Sequence, residues 1–274
     1  MAGFKIRALS AVVLVAVLGT ALFFGGYYLW ALMLCASLVG FFEFARAMRE
    51  PESRSSMKPD VLEILGYAGI LILYVIIPAA GSERCLSFMF YSLILLLIAL
   101  MIVYVLQFPR FPTSKMMQIY FGVIYVGVML AFVYLTRMEP EGMKLVWLIF
   151  IASWICDTCA YLTGMLIGKH KLTPKLSPKK SVEGAVGGVI GSALVGLLYG
   201  VLINLNEAAW VPAVICGVGA VISQFGDLTA SAIKRNHDIK DYGNLIPGHG
   251  GILDRFDSVI ITAPIVYILS QVFT

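Results

Sequence analysis

Four acidic residues stand in stretches where acids are rare. Asp157 lies within WICDTCAYLTG, Asp227 within SQFGDLTASAIKR, and Asp254 and Asp257 within GGILDRFDS. A carboxylate at the centre of a membrane helix costs roughly 2.5–3.5 kcal/mol on insertion scales, so such a residue is a functional candidate unless it reaches water or a partner. Ser231 and Lys234 follow Asp227 at four and seven residues, so one helical stripe carries an acid, a hydroxyl and a base. Asp254, Asp257 and Ser258 stand at i, i+3 and i+4 and also share a face. Hard carboxylates presented from separate helices beside cations suit Mg2+ carrying a polyphosphate. The competing reading is an ion-pair network internal to the bundle. Asp157 shares its face with Tyr161 and Gly164, and both a packing role and a substrate-site role are open to it.

Two polar loops adjoin these acids. The first, KRNHDIKDYGNLIPGHGG, carries Gly243, Gly248, Gly250 and Gly251, which allow close backbone approach, and Lys234, Arg235, Lys240 and His249, which supply charge or donors. That combination favours phosphate, but it lacks the GxxxxGK[ST] order of a P-loop. His249 has three open roles: binding a phosphate oxygen, carrying a proton, or positioning the loop. The second loop, GKHKLTPKLSPKKSVEG, alternates lysine with proline. Its Lys179, Lys180 and Ser181 suit a lipid phosphate or a nucleotide, and a plain anchor for anionic lipid is the alternative.

The elements that must position these residues are membrane helices. Of 274 residues, 60% are apolar and 13% charged, and the mean hydropathy is +0.90. A soluble domain carries roughly a quarter charged residues, so this composition excludes an ordinary aqueous fold. A bilayer core needs roughly 20 mostly apolar residues per helix. Runs of that kind predict nine spans: Ala8–Phe24, Tyr27–Ala45, Val61–Ala80, Cys85–Phe108, Met117–Thr136, Met143–Gly168, Gly184–Asn204, Ala209–Ile233 and Ile252–Phe273. The first two are separated at Gly25 and Gly26, because the uncharged run Ala8–Phe42 is too long for one span. With this count, all but three of the 20 Lys and Arg fall on the N-terminal side; Arg84, Arg137 and Lys144 are the exceptions. Positive residues collect on the cytoplasmic side, so the expectation is a cytoplasmic N-terminus, an external C-terminus and both polar loops facing the cytoplasm.

The chain reads as one all-α membrane domain, with residues 1–142 forming variable N-terminal helices and 143–274 the catalytic helices and loops. MAGFKIR and the apolar run after it read as a retained first span, because no A-x-A cleavage site follows. The five cysteines lie in or beside apolar stretches and read as small apolar filler. Cys156 and Cys159 form a CxxC without a second ligand pair, which argues against zinc or redox chemistry. No inverted repeat of the transporter kind is visible.

The stretch from Ser231 to Asp257, SAIKRNHDIKDYGNLIPGHGGILDRFD, resembles the motif of the phosphatidate cytidylyltransferase (CDP-diglyceride synthetase) family throughout its length. SPKKSVEG is similar to that family's second region and DTCAYLTG to the preceding helix, with Ser181 where Thr is usual and Val182 where Trp is common. Serine keeps the hydroxyl, so only the packing of the lost aromatic differs. The resemblance covers Asp157 to Asp257, and before that only hydrophobicity and span number agree.

The resemblance implies attack by the phosphate of phosphatidic acid on the α-phosphorus of CTP, releasing pyrophosphate and leaving CDP-diacylglycerol. It implies Asp227 and Asp254 as metal carboxylates, with Asp257 as a helper and Lys234, Arg235 and His249 in the catalytic set. Substrate contacts are expected from Lys179, Lys180, Ser181, Ser231, Lys240, Asp241, Gly250, Gly251, Arg255 and Asp157. The implied cofactor is Mg2+, with room for a second, monovalent cation. The implied partners are CTP, phosphatidic acid and membrane lipids, with a homodimer as one assembly and no nucleic acid. The expected location is a bacterial plasma (inner) membrane, with the active site facing the cytoplasm. Two rivals carry different chemistry: a transporter or channel, and a CTP-dependent lipid kinase that moves the γ-phosphate. The D-G-x-x-A-R helix motif of CDP-alcohol phosphotransferases does not occur.

Overall fold

The computed structural model describes residues 2–54, 57–203, 208–248 and 250–273. Nearly all of their regular structure is helical, as a bilayer demands, because each backbone N–H and C=O must be satisfied within its own segment. Helices α1 and α2 cover Ala2–Phe24 and Gly26–Met48. Helices α3 to α6 cover Val61–Gly81, Arg84–Leu106, Thr113–Met138 and Gly142–Ile167, and α7 to α9 cover Val182–Ile203, Trp210–Asn236 and Leu253–Phe273. The last eight are long and apolar enough to cross a membrane, and α1 contributes the shorter apolar run Leu9–Phe24. The chain is an all-α polytopic membrane protein, with eight to nine long apolar helices among the described residues.

The breaks fall at glycines. Gly25 and Gly26 have φ of 62° and 52°, and Gly81 has φ of 68° between α3 and α4. These left-handed values need a residue without Cβ, so the chain can turn there and not continue as one rod. Asp60 caps α3 by accepting from the Glu63 N–H at 3.0 Å.

The chain forms two compact units, Met1–Leu135 with Asp241–Asp254, and Thr136–Lys240 with Arg255–Thr274. In the first, aromatic rings from α2, α3 and α5 pack together, with Phe41 edge-on to Tyr67 and Phe121 stacked on Tyr125. Gly66 and Gly122 make room for this layer: a Cβ at Gly66 would lie 2.4 Å from the Phe41 ring. At one end of the layer, buried Glu63 receives the Arg49 guanidinium and the Lys115 ammonium, and Lys115 also reaches Asp60 at 3.2 Å. The hydrogen bonds to Glu63 push the Arg49 guanidinium further up its already high range and keep it charged.

In the second unit, α7 buries Gly184, Gly188, Ser192, Gly196 and Gly200, one residue per turn. Lipid tails give helices no hydrophobic reason to associate, so such small-residue stripes let backbones approach for dispersion contact. A Cβ at Gly188 would meet the Cys156 carbonyl at 2.9 Å, and one at Gly196 the Pro212 carbonyl at 2.7 Å. Helix α6 widens into a π turn over Ile151–Ile155. Ser192 Oγ donates to the Ile151 carbonyl at 2.9 Å, meeting an acceptor within that turn.

Candidate active site

The lysine-rich loop is more ordered than its composition suggests. It forms a short antiparallel hairpin, β1 (Lys171–Thr173) and β2 (Ser177–Ser181), with Lys171 opposite Ser181 and Thr173 opposite Ser177. Glu183 closes its base by accepting from the backbone N–H of Lys169 and His170 and pairing with the His170 ring. Ser181 Oγ accepts from the Gly184 N–H at 3.1 Å and so caps α7. Gly164, Gly168 and Gly184 surround that hydroxyl: a Cβ on any of them would lie within 3 Å of it. The family resemblance assigns Ser181 to substrate, and the structure gives it this capping role as well.

The hairpin and helices α6, α7 and α8 enclose a cavity of about 360 Å3. Asp157, Asp227, Lys179, Lys180, Ser181 and Gln224 are its polar lining, and Tyr161, Met165 and Leu172 are among its apolar walls. Lys180 is ion-paired with Asp227. Ser258 Oγ on α9 donates to Asp157 at 3.4 Å. The carboxylates of Asp157, Asp227 and Asp257 act on one another through their charge, as do Lys180 and Arg255 on Asp157 and Lys234 on Asp257. Gly226 explains how α8 and α9 come so close beside these acids, since a Cβ there would meet the Asp257 carbonyl at 2.8 Å. Arg255 Nε is buried without a hydrogen-bond partner among the described residues.

The second unit thus brings Asp157, Asp227, Asp257, Lys179, Lys180, Ser181, Lys234 and Arg255 into one region. Ser231 is half-buried on α8, whereas Arg235 is exposed in its last turn and Lys240 is exposed beyond it. Asp241, Gly250, Gly251 and Asp254 belong to the first unit. There, Asp254 Oδ2 accepts from the backbone N–H of Tyr242 at 2.8 Å and of Gly251 at 3.0 Å, which ties the two ends of their loop together. His249 lies outside the described residues.

Two polar residues escape a search for motifs. Gln224 donates to the Ala185 carbonyl at 3.0 Å and lines the cavity three residues before Asp227. Its signal was a lone amide on the same helical face as that acid. Glu43 is the other, the first charged residue after the uncharged run from Ala8.

Among the described residues, no group of three or more His, Cys, Asp or Glu is already gathered as a metal-ligand cluster. The donor chemistry still fits a hard divalent ion: carboxylate oxygens predominate, and the Asp227 carboxylate already has a cation, the Lys180 ammonium, against it. A cavity lined by both acids and ammonium groups and by apolar side chains can hold a charged headgroup with a hydrocarbon body.

A family model described as the cytidylyltransferase family matches residues 5–273. The chain is 34% identical over 265 residues to a phosphatidate cytidylyltransferase of Staphylococcus saprophyticus, covering 97% of this chain and 98% of that one. It is 32% identical over 266 residues to the protein of that description in Staphylococcus haemolyticus, and 31% identical over 265 residues to one in Staphylococcus aureus, with the same coverage.

Proposed function

Because the chain belongs to the cytidylyltransferase family, we propose that it catalyses CTP + phosphatidic acid → CDP-diacylglycerol + pyrophosphate. The observation that carries this reading at the site is the cavity that brings Lys179, Lys180, Asp157 and Asp227 together beside apolar walls. An oxygen of the lipid phosphate forms a bond to the α-phosphorus of CTP. The bond from that phosphorus to the oxygen bridging to the β-phosphate breaks, and pyrophosphate leaves with the electron pair.

The nucleophile is already an anion, so the protein's tasks are to bring two repelling anions together and to hold the charge of the leaving group. Lys179 and Lys180 hold phosphate at the hairpin. Lys234, Arg235, Lys240 and Arg255 are assigned to CTP phosphates, with Ser231, Asp241, Gly250 and Gly251 as further contacts. Asp227 and Asp254 are assigned to Mg2+, with Asp257 as a helper, and each is tested by its own variant. When bound, Mg2+ supplies charge neutralisation at the polyphosphate. The lipid reaches the cavity sideways, keeping its acyl chains in the bilayer and its headgroup at the interface.

We read the chain as one membrane domain of a bacterial plasma membrane, with its N-terminus and active site cytoplasmic and its C-terminus outside. The lysine and arginine distribution supports this orientation. A homodimer and a second, monovalent cation stay within the proposal. Detergent-purified protein incubated with CTP, phosphatidic acid and Mg2+ should release pyrophosphate and form a CDP-lipid in equal amounts. Pyrophosphate release that continues without phosphatidic acid contradicts the proposal.

A further inference from the structure

Glu43 is buried in α2, 2% exposed, and both of its carboxylate oxygens are used. Oε1 accepts from the Ile252 N–H at 3.1 Å and Oε2 from the Leu253 N–H at 2.9 Å. These amides lead into the first turn of α9, where backbone donors have no partner in their own helix. Two glycines leave room for the carboxylate: a Cβ on Gly243 would lie 2.2 Å from Glu43 Oε1, and one on Gly251 would lie 2.3 Å from both oxygens. One turn further along α2, Arg46 Nη2 donates to the Tyr242 carbonyl at 3.0 Å. The next residue held by this grip is Asp254, whose Oδ2 accepts from Tyr242 and Gly251.

We propose that Glu43 is a positioning residue, which fixes the backbone of 250–254 and through it the carboxylate of Asp254. A carboxylate is suited to this because it offers two acceptors to two adjacent N–H groups, and burial makes an unmet donor costly. Glutamine keeps the shape but turns one acceptor into a donor facing an N–H. The inference rests on the cytidylyltransferase reading only where it concerns turnover.

The test compares wild type with Glu43→Gln in detergent by amide exchange, read by mass spectrometry, and by steady-state kinetics. Glu43→Gln should speed exchange in the peptide covering 250–254 while leaving α7 and α8 unchanged. It should lower kcat by about 10- to 100-fold with a smaller change in the KM for CTP, as expected from a misplaced catalytic group. Exchange that rises throughout the protein, or that does not rise in 250–254, overturns the proposal, and so does a kcat within about twofold of wild type in an active enzyme. A wild type that makes no CDP-lipid defeats the functional reading, and the exchange comparison still decides whether Glu43 holds the loop. Should Glu43→Gln fail to fold, Gly251→Ala is the second variant, because its methyl group enters the same space from the opposite side. Faster exchange confined to the same peptide is expected, and unchanged exchange there overturns the proposal.

Discussion

The Lys180 ammonium is ion-paired with the Asp227 carboxylate, joining the end of β2 to α8 at the wall of the cavity. The pair sets a cation from the loop against an acid from within a span. Neither group is fully buried, so both can exchange their partner for substrate or metal. Asp157 and Asp257 add negative field to the same region, which favours a cation there and leaves the lysines as the groups that can attract phosphate.

Asp227→Asn should give a folded, membrane-inserted protein with kcat lowered about a thousandfold, since charge stabilisation of the reacting phosphates would be lost. Asp254→Asn should do the same through its own assignment. Turnover near wild type at saturating Mg2+ in either variant removes that residue from the metal set.

Lys179 lines the cavity from the exposed face of β2. Lys179→Ala should raise the KM for one substrate more than for the other, and titrating CTP and phosphatidic acid separately shows which. Negligible effects on both return the hairpin to the role of a lipid anchor.

Ser181→Ala removes the cap of α7 and should lower stability by about 1 kcal/mol, measured by thermal unfolding in detergent. Ser181→Thr keeps the capping oxygen and should recover most of that loss. Equal stability of all three proteins would show that the Gly184 N–H finds another acceptor.

Arg49→Ala leaves Glu63 buried with Lys115 as its remaining ion-pair partner, and should destabilise by about 3 kcal/mol. The KM for CTP should not change. A changed KM with unchanged stability would make this network part of substrate binding.

Much of the architecture was legible because the bilayer permits few solutions. Uncharged runs gave the spans, and the glycine pair at Gly25 and Gly26 gave the first break. The acids Asp157, Asp227 and Asp257 stood out because an acid inside an apolar helix needs a reason. The hairpin was hidden, since three residues of β1 between lysine and proline give no alternating pattern to read. The cap at Ser181 sits where Gly164 of α6, Gly168 just past its end and Gly184 of α7 meet one hydroxyl, a contact that spacing along the chain does not disclose. Glu43 was missed for a different reason: at the end of a span it resembles an ordinary boundary charge, and its partners lie over 200 residues away.

The most direct measurement is the fate of two labels in CTP. Wild-type protein in detergent is given phosphatidic acid and Mg2+ with 32P at either the α or the γ position, and the lipid phase is extracted and counted. Label from the α position should enter the lipid and label from the γ position should leave as pyrophosphate. Lipid labelled from the γ position would mean phosphoryl transfer, and would contradict the nucleotidyl transfer on which the roles of Asp227 and Lys180 depend.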